Sequence, residues 1–224
     1  MMLCGCCGEA LGMEDERVTQ QMPVEQLLCA QCWDTRPSFQ RAVAYGVYQD
    51  ELREMIHLLK YERVRSIAKP LGAMLAHAIA MLHADAVQDL LVIAVPLFTA
   101  KQRQRGYNQA VLLADAALAR LSKIQPAWIL RASHATLRRV RDTESQFALT
   151  PKGRRRNLQG AFAVQPNARI VGREVLLIDD IYTTGATAVE CTRVLLRAGA
   201  SKVWVATLAR AQTEMTARWS DSLG

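Results

Sequence analysis

Two carboxylates side by side, Asp179 and Asp180, close an uninterrupted apolar run, Val175-Leu176-Leu177-Ile178. Behind them stands a turn of small and hydroxyl residues, Thr183-Thr184-Gly185-Ala186-Thr187, then a helix-period segment with Val189, Val194, Leu195 and Leu196. Carboxylates only accept hydrogen bonds, so they suit sugar hydroxyls and repel phosphate. Small side chains and Gly185 let backbone N–H groups close around an anion, and the positive end of a helix strengthens the attraction. An acidic pair followed directly by an anion-binding turn fits a ribose 5-phosphate. The Walker pattern G-x-x-x-x-G-K-[ST] is absent, which sets that phosphate loop aside. The plainer alternative is an ordinary strand, turn and helix, although two adjacent acids at a strand's end are costly without a ligand.

Five of the six cysteines precede residue 33. Cys4-x-x-Cys7 and Cys29-x-x-Cys32 have the spacing of a four-thiolate zinc site. A tetrahedral Zn²⁺ supplies folding energy to a segment too short to build its own core. Four thiolates leave no open coordination position, so the site reads as structural. Cys6 is a spare that competes with Cys7 for the first ligand pair, and the x-x spacing favours Cys7. Disulfides and redox thiols are the other readings. Cys191, alone in the helix after the acidic motif, reads as a buried small apolar residue.

A third group is basic. Lys101 to Ala110 read K-Q-R-Q-R-G-Y-N-Q-A. Arg103, Arg105 and Gly106 are expected in a loop at a strand's carboxyl end, where they suit a second anion, a diphosphate. A solvated charged face is the alternative. The two sites converge if both follow strands of one parallel sheet, because ligands of open α/β sheets bind outside the carboxyl ends of strands.

The elements that must position these groups are legible from apolar patterning. Ala42–Tyr48 reads as a strand. Leu52, Met55, Ile56 and Leu59 recur at helical spacing and end in Lys60-Tyr61. Pro70 suits the first turn of a second helix running to about Leu82. Leu90–Val95 is a second buried strand, ended by Pro96. Asn108 is placed as the N-cap of a helix to about Leu121. Residues 131–160 carry Arg138, Arg139, Arg141, Gln146 and Arg154-Arg155-Arg156-Asn157 without a sustained apolar period. This stretch reads as a lid over a polyanion, a nucleic-acid footprint or a plain surface loop. Ala161–Val164 is a short strand and Val203–Leu208 a further sheet strand, reached through Gly199. The tail after Arg210 is polar.

A length of 224 residues suggests a zinc-knuckle segment, 1–40, and one larger domain, 41–224. Half of the residues are hydrophobic, enough for a real core. No apolar run is long enough to span a membrane. The N-terminus lacks the pattern of a secretory signal, so a cytoplasmic chain with reduced thiols is expected. Net charge of +7 favours polyanionic partners.

Val175–Thr187 closely resembles the thirteen-residue phosphoribosyl diphosphate (PRPP) motif of type I phosphoribosyltransferases. The resemblance implies that Asp179 and Asp180 bind the ribose 2- and 3-hydroxyls and that Thr183, Thr184, Gly185, Ala186 and Thr187 hold the 5-phosphate. In purine-salvage members the position matching Thr183 can carry an acid that handles the base's proton. Thr183 cannot, which disfavours a hypoxanthine–guanine type of reaction. Over nearly its whole length the chain resembles the ComF/GntX family. The four cysteines, Leu59-Lys60-Tyr61, Val95-Pro96-Leu97 and Arg105-Gly106-Tyr107-Asn108-Gln109 match that family's pattern in order. So do Gln146, Arg154, Asn157, Gly160-Ala161-Phe162 and the PRPP motif. The resemblance implies an α/β, type I phosphoribosyltransferase fold: a mainly parallel twisted sheet flanked by helices, with a flexible lid, plus the small zinc knuckle. It also implies a link to natural transformation and to the use of external DNA.

Three functions follow. In a PRPP-dependent transferase, Mg²⁺ accompanies the substrate, Arg103 and Arg105 stabilise the departing diphosphate, and Asp179 and Asp180 hold the ribose. No acceptor is written in the sequence. In a DNA-handling accessory protein, the same basic clusters bind single-stranded DNA or accompany DNA-uptake proteins, with Tyr107 and Trp33 stacking on bases. In a non-catalytic sensor, PRPP is bound without turnover.

Overall fold

The computed structural model describes residues 2–11, 27–143 and 151–212. Gln146, the side chain of Arg155 and the tail beyond Gln212 lie outside the described residues. The chain opens with β1 (Met2–Leu3), β2 (Ala10–Leu11) and the short α1 (Ala30–Asp34). Then come β3 (Ala42–Val47), α2 (Asp50–Lys60), α3 (Ala68–Ala80), β4 (Asp89–Ala94) and α4 (Thr99–Arg105). They are followed by α5 (Gln109–Ile124), β5 (Ile129–Ala132), β6 (Leu137–Arg139), α6 (Pro151–Leu158) and β7 (Phe162–Val164). The last elements are β8 (Glu174–Tyr182), α7 (Ala186–Arg197) and β9 (Lys202–Arg210).

Five parallel strands make the central sheet, in the order β3-β9-β8-β4-β5. Covered on both faces, its strands need apolar residues at odd and even positions alike, and the uninterrupted runs in β4 and β8 meet that need. Leu176 and Ile178 pack with Leu71 and Leu75 of α3 and Leu113 of α5. Val175 and Leu177 pack with Cys191 and Leu195 of α7, and that layer also holds the N-terminal cysteines and Phe162 of β7. β6 and β7 form a separate antiparallel ribbon.

Three expectations shift. The apolar run 175–178 is not the whole strand: β8 continues through the acids to Tyr182. β4 gives out at Ala94, before Pro96, which has no N–H to donate, whereas β9 pairs onward as far as Tyr182 with Arg210. Residues 179–182 therefore protrude beyond β4 while held from the β9 side. Arg103 and Arg105 lie on helix α4, not in a loop. That helix buries no residue, so it has no apolar stripe for a periodicity reading to find. Residues 131–160 carry β6, all of α6 and part of β5, which are too short or too polar to show a period.

Candidate functional site

Strand alternation decides what the two acids touch. Successive side chains point to opposite faces, so the acids part company where β8 leaves β4. Asp180 faces α2 and α5. It is 4% exposed, and Lys60 Nζ lies 2.9 Å from its Oδ1. Gln109 Nε2 donates to its Oδ2 at 2.8 Å. Burial pulls the Lys60 ammonium down, but the charge and hydrogen bond of Asp180, helped by Asp179, leave it above its ordinary value. Gln109 is aimed by the start of α5: Asn108 is the N-cap, accepting from Ala110 N at 2.9 Å, as its sequence position predicts. Asn108 also donates to the Val95 carbonyl, tying the helix to the end of β4.

Asp179 faces the α7 side. It is half-buried, and its Oδ1 accepts the backbone N–H of Asp180 at 2.8 Å. Burial, and then the charge of Asp180, push its carboxyl up to about 7 against the pull of Lys60 and Arg139. Arg139, on β6, sits with its guanidinium over Phe162 and bonded to Thr143 Oγ1. Its Nε is buried without a hydrogen-bond partner among the described residues.

The turn wraps the same cavity. Asp179, Thr183, Gly185, Ala186, Thr187 and Val95 all line it. Gly185 caps α7 with φ +74°, and a Cβ there would come within 2.1 Å of the Tyr182 hydroxyl. Only glycine fits both demands. The first N–H groups of α7 have no partner within the helix. Thr184 Oγ1 is buried and has no hydrogen-bond partner among the described residues. A roomier apolar cavity, about 510 Å³, lies against β3 and the N-terminal clip, away from the acids.

The basic residues are not gathered equally. Arg103 is exposed. Arg105 donates to Gln109 Oε1 and covers the Tyr61 ring, so it stands one hydrogen bond removed from Asp180. Tyr107 is not free to stack on a base: its ring is buried, its hydroxyl donates to the Leu59 carbonyl, and Arg65 covers its face. Trp33 is 64% exposed and remains accessible. Reading the residues alone missed Lys60, Gln109 and Tyr182 as parts of the site. A single lysine ending an amphipathic helix gives no local signal, because its partner is 120 residues away.

The N-terminal cysteines converge. The sulfurs of Cys4, Cys7, Cys29 and Cys32 all lie within 4.8 Å of one another, and Cys7 and Cys29 are 3.6 Å apart. Tetrahedral Zn²⁺ with thiolate bonds near 2.3 Å asks for sulfurs about 3.8 Å apart, so the donor set fits such an ion. Cys6 is buried but stands outside the group of four, and Cys7 is the member whose sulfur lies within it. All six cysteines are free of disulfides, and Cys191 is fully buried as expected. Among the described residues no helix is long and apolar enough to cross a membrane.

No protein-family model matches the chain. Curated relatives do. The chain is 33% identical over 217 residues to DNA utilization protein YhgH of Escherichia coli O6:H1, across 93% of this chain and 90% of that one. It is 32% identical over 215 residues to competence protein F of Haemophilus influenzae, across 93% and 84%. With competence protein ComFC of Bacillus subtilis the identity is 27% over 152 residues, 68% of this chain and 56% of that one. Among solved structures, a hypoxanthine phosphoribosyltransferase from Staphylococcus aureus aligns with 66% of this chain and 64% of its own, at 18% identity and a TM-score of 0.38.

Proposed function

Because the chain belongs to the ComF family, which includes DNA utilization protein YhgH and competence protein F, we propose that it binds PRPP on a type I phosphoribosyltransferase fold and serves DNA uptake or the use of external DNA. The observation that carries this reading is the single cavity lined by Asp179 and by Thr183, Gly185, Ala186 and Thr187. It brings a carboxylate acceptor for hydroxyls and the small-residue turn that suits an anion to one place. The 5-phosphate takes the N–H groups at the start of α7 and the Thr184 hydroxyl, which otherwise has no described partner.

Asp179 accepts from one ribose hydroxyl. Asp180 takes the other through a lone pair that Lys60 and Gln109 leave over, since a carboxylate has about four acceptor positions. Arg105, and Arg103 from the same helix, face the diphosphate. In transfer, the bond from C1 to the diphosphate oxygen breaks, the diphosphate leaves with the electron pair, and an acceptor nucleophile bonds to C1. Mg²⁺, held mainly by the diphosphate and sugar hydroxyls, supplies neutralising charge. Zn²⁺ at Cys4, Cys7, Cys29 and Cys32 is structural, and a site of four thiolates suits a reducing cytoplasm.

Calorimetric titration with PRPP and Mg²⁺ tests the site. The wild type binds, whereas Asp179→Ala combined with Asp180→Ala loses binding and keeps its zinc. Equal affinity in the double variant overturns the assignment. A diphosphate-release assay across candidate acceptors then separates transferase from sensor.

A further inference from the structure

The thiolate cluster touches the anion-binding turn along two routes. The first runs through Arg210, the last residue of β9. It is 8% exposed. Its Nη1 donates to the Cys7 carbonyl at 2.7 Å, and its Nε and Nη2 both donate to Glu9 Oε2. The same guanidinium covers the Tyr182 ring, 4.5 Å from its centroid. Tyr182 is held edge-on by Phe39, and its hydroxyl lies hard against Gly185. The second route is direct: Gln31 Nε2 donates to the Thr184 carbonyl at 3.4 Å. Gln31 belongs to α1, whose N-cap is Cys29 and which carries Cys32.

Both routes start on segments that the thiolates fix, and both end on the turn. We infer that the four-thiolate centre sets the shape of the sugar-phosphate turn, so that metal loading tunes affinity at Thr183–Thr187. Arg210 and Gln31 are the positioning residues. Structural zinc supplies the folding energy of such knuckles. Without the ion, the Cys7 carbonyl and α1 lose their fixed places. A buried guanidinium deprived of an acceptor is costly, so Arg210 follows the knuckle or draws in another partner. Either movement releases Tyr182, which packs under Gly185 with no slack. The inference rests on the sugar-phosphate reading of the turn and adds to it a means of control.

The test compares metal-loaded protein with the same protein stripped by a chelator. Its two readouts are amide hydrogen exchange and titration with ribose 5-phosphate. In the stripped wild type, exchange quickens at residues 183–189 and stays slow in α5. Ribose 5-phosphate then binds about tenfold more weakly, the usual scale of coupling between sites, and added Zn²⁺ reverses both changes. Loaded Gln31→Ala keeps its metal and Tm but loses part of the affinity. With Arg210→Met added, affinity no longer responds to zinc. If the Arg210 variant does not fold, Gln31→Ala decides alone, and unchanged affinity there overturns the proposal. So does a stripped wild type with unaltered exchange in the turn, or one in which α5 loosens equally. A loaded wild type that ignores ribose 5-phosphate refutes the sugar-phosphate reading instead, while hydrogen exchange still judges the coupling.

Discussion

The two faces of the sheet at the tip of β8 treat the same residue type in opposite ways. On the α5 side, Asp180 is buried and both of its oxygens are engaged, by Lys60 and Gln109. On the α7 side, Asp179 is half-buried and borders the cavity of the turn. The contrast follows from a two-residue period carried beyond the end of a neighbouring strand. One carboxylate is braced by the scaffold and keeps only a leftover lone pair for a ligand, and the other borders the cavity without such bracing. An acidic dipeptide at a strand's end is thus two sites of different stiffness.

Removing Lys60 should strain that contrast most. Lys60→Met leaves the Asp180 carboxylate buried and without its cation, and breaking such a pair costs about 3 kcal/mol or more. Urea unfolding measures it. Adding Asp180→Asn removes the orphaned charge, so the double variant should recover much of the loss. If Lys60→Met and Asp180→Asn simply add, the two residues are not a unit and the α5 face is less firmly built than its geometry indicates.

The next effect belongs to the α7 face. Gly185→Ala sets a Cβ where φ is +74° and where the Tyr182 hydroxyl stands 2.1 Å away. Backbone strain and displacement of the ring together cost about 2 kcal/mol. Unlike Lys60→Met, this change should also weaken ribose 5-phosphate binding in proportion to the disturbed turn. Combining it with Tyr182→Phe removes the nearest clashing atom but leaves the ring carbon Cζ at 2.6 Å and the backbone strain, so stability should return only in part. Full recovery would show that the hydroxyl, and neither the ring carbons nor the left-handed backbone, makes glycine necessary there.

The sequence made these faces legible to different depths. Apolar runs announced β4 and β8, and Asn108 announced the start of α5, because burial on two faces and end-capping are local demands that leave local marks. The cysteine spacing likewise foretold a cluster whose members close to within 4.8 Å. What escaped depends on distant pairing. Lys60 reaches Asp180, and Arg210 reaches Cys7 and Glu9, only once the sheet has brought them together. α4 escaped for another reason: a polar helix with no buried residue has no stripe to read. Tyr107 misled because an aromatic beside arginines looks like a stacking platform, whereas it is a buried strut bonded to the end of α2.

The remaining effect appears only as a change with pH, and it most sharpens the comparison. In the folded protein the Asp179 carboxyl sits at about 7, against an ordinary 3.8, because burial and then its charged neighbour disfavour the ionised form. The folded state therefore holds this proton more tightly than the unfolded chain does. The stabilisation is complete below the unfolded pKa and is lost as pH rises through the folded one. Asparagine has no proton to lose. The difference in Tm between Asp179→Asn and wild type should stay flat below about pH 4, grow in favour of the variant up to about pH 7 and level off by about pH 8. A sugar hydroxyl needs the ionised acceptor, so wild-type PRPP affinity should strengthen over the interval in which stability declines. Affinity that instead followed stability downward would mean that the protonated carboxyl is the partner of the sugar. Asp179 would then be a donor, and the α7 face would be built for a different hydrogen-bond pattern than a vicinal diol presents.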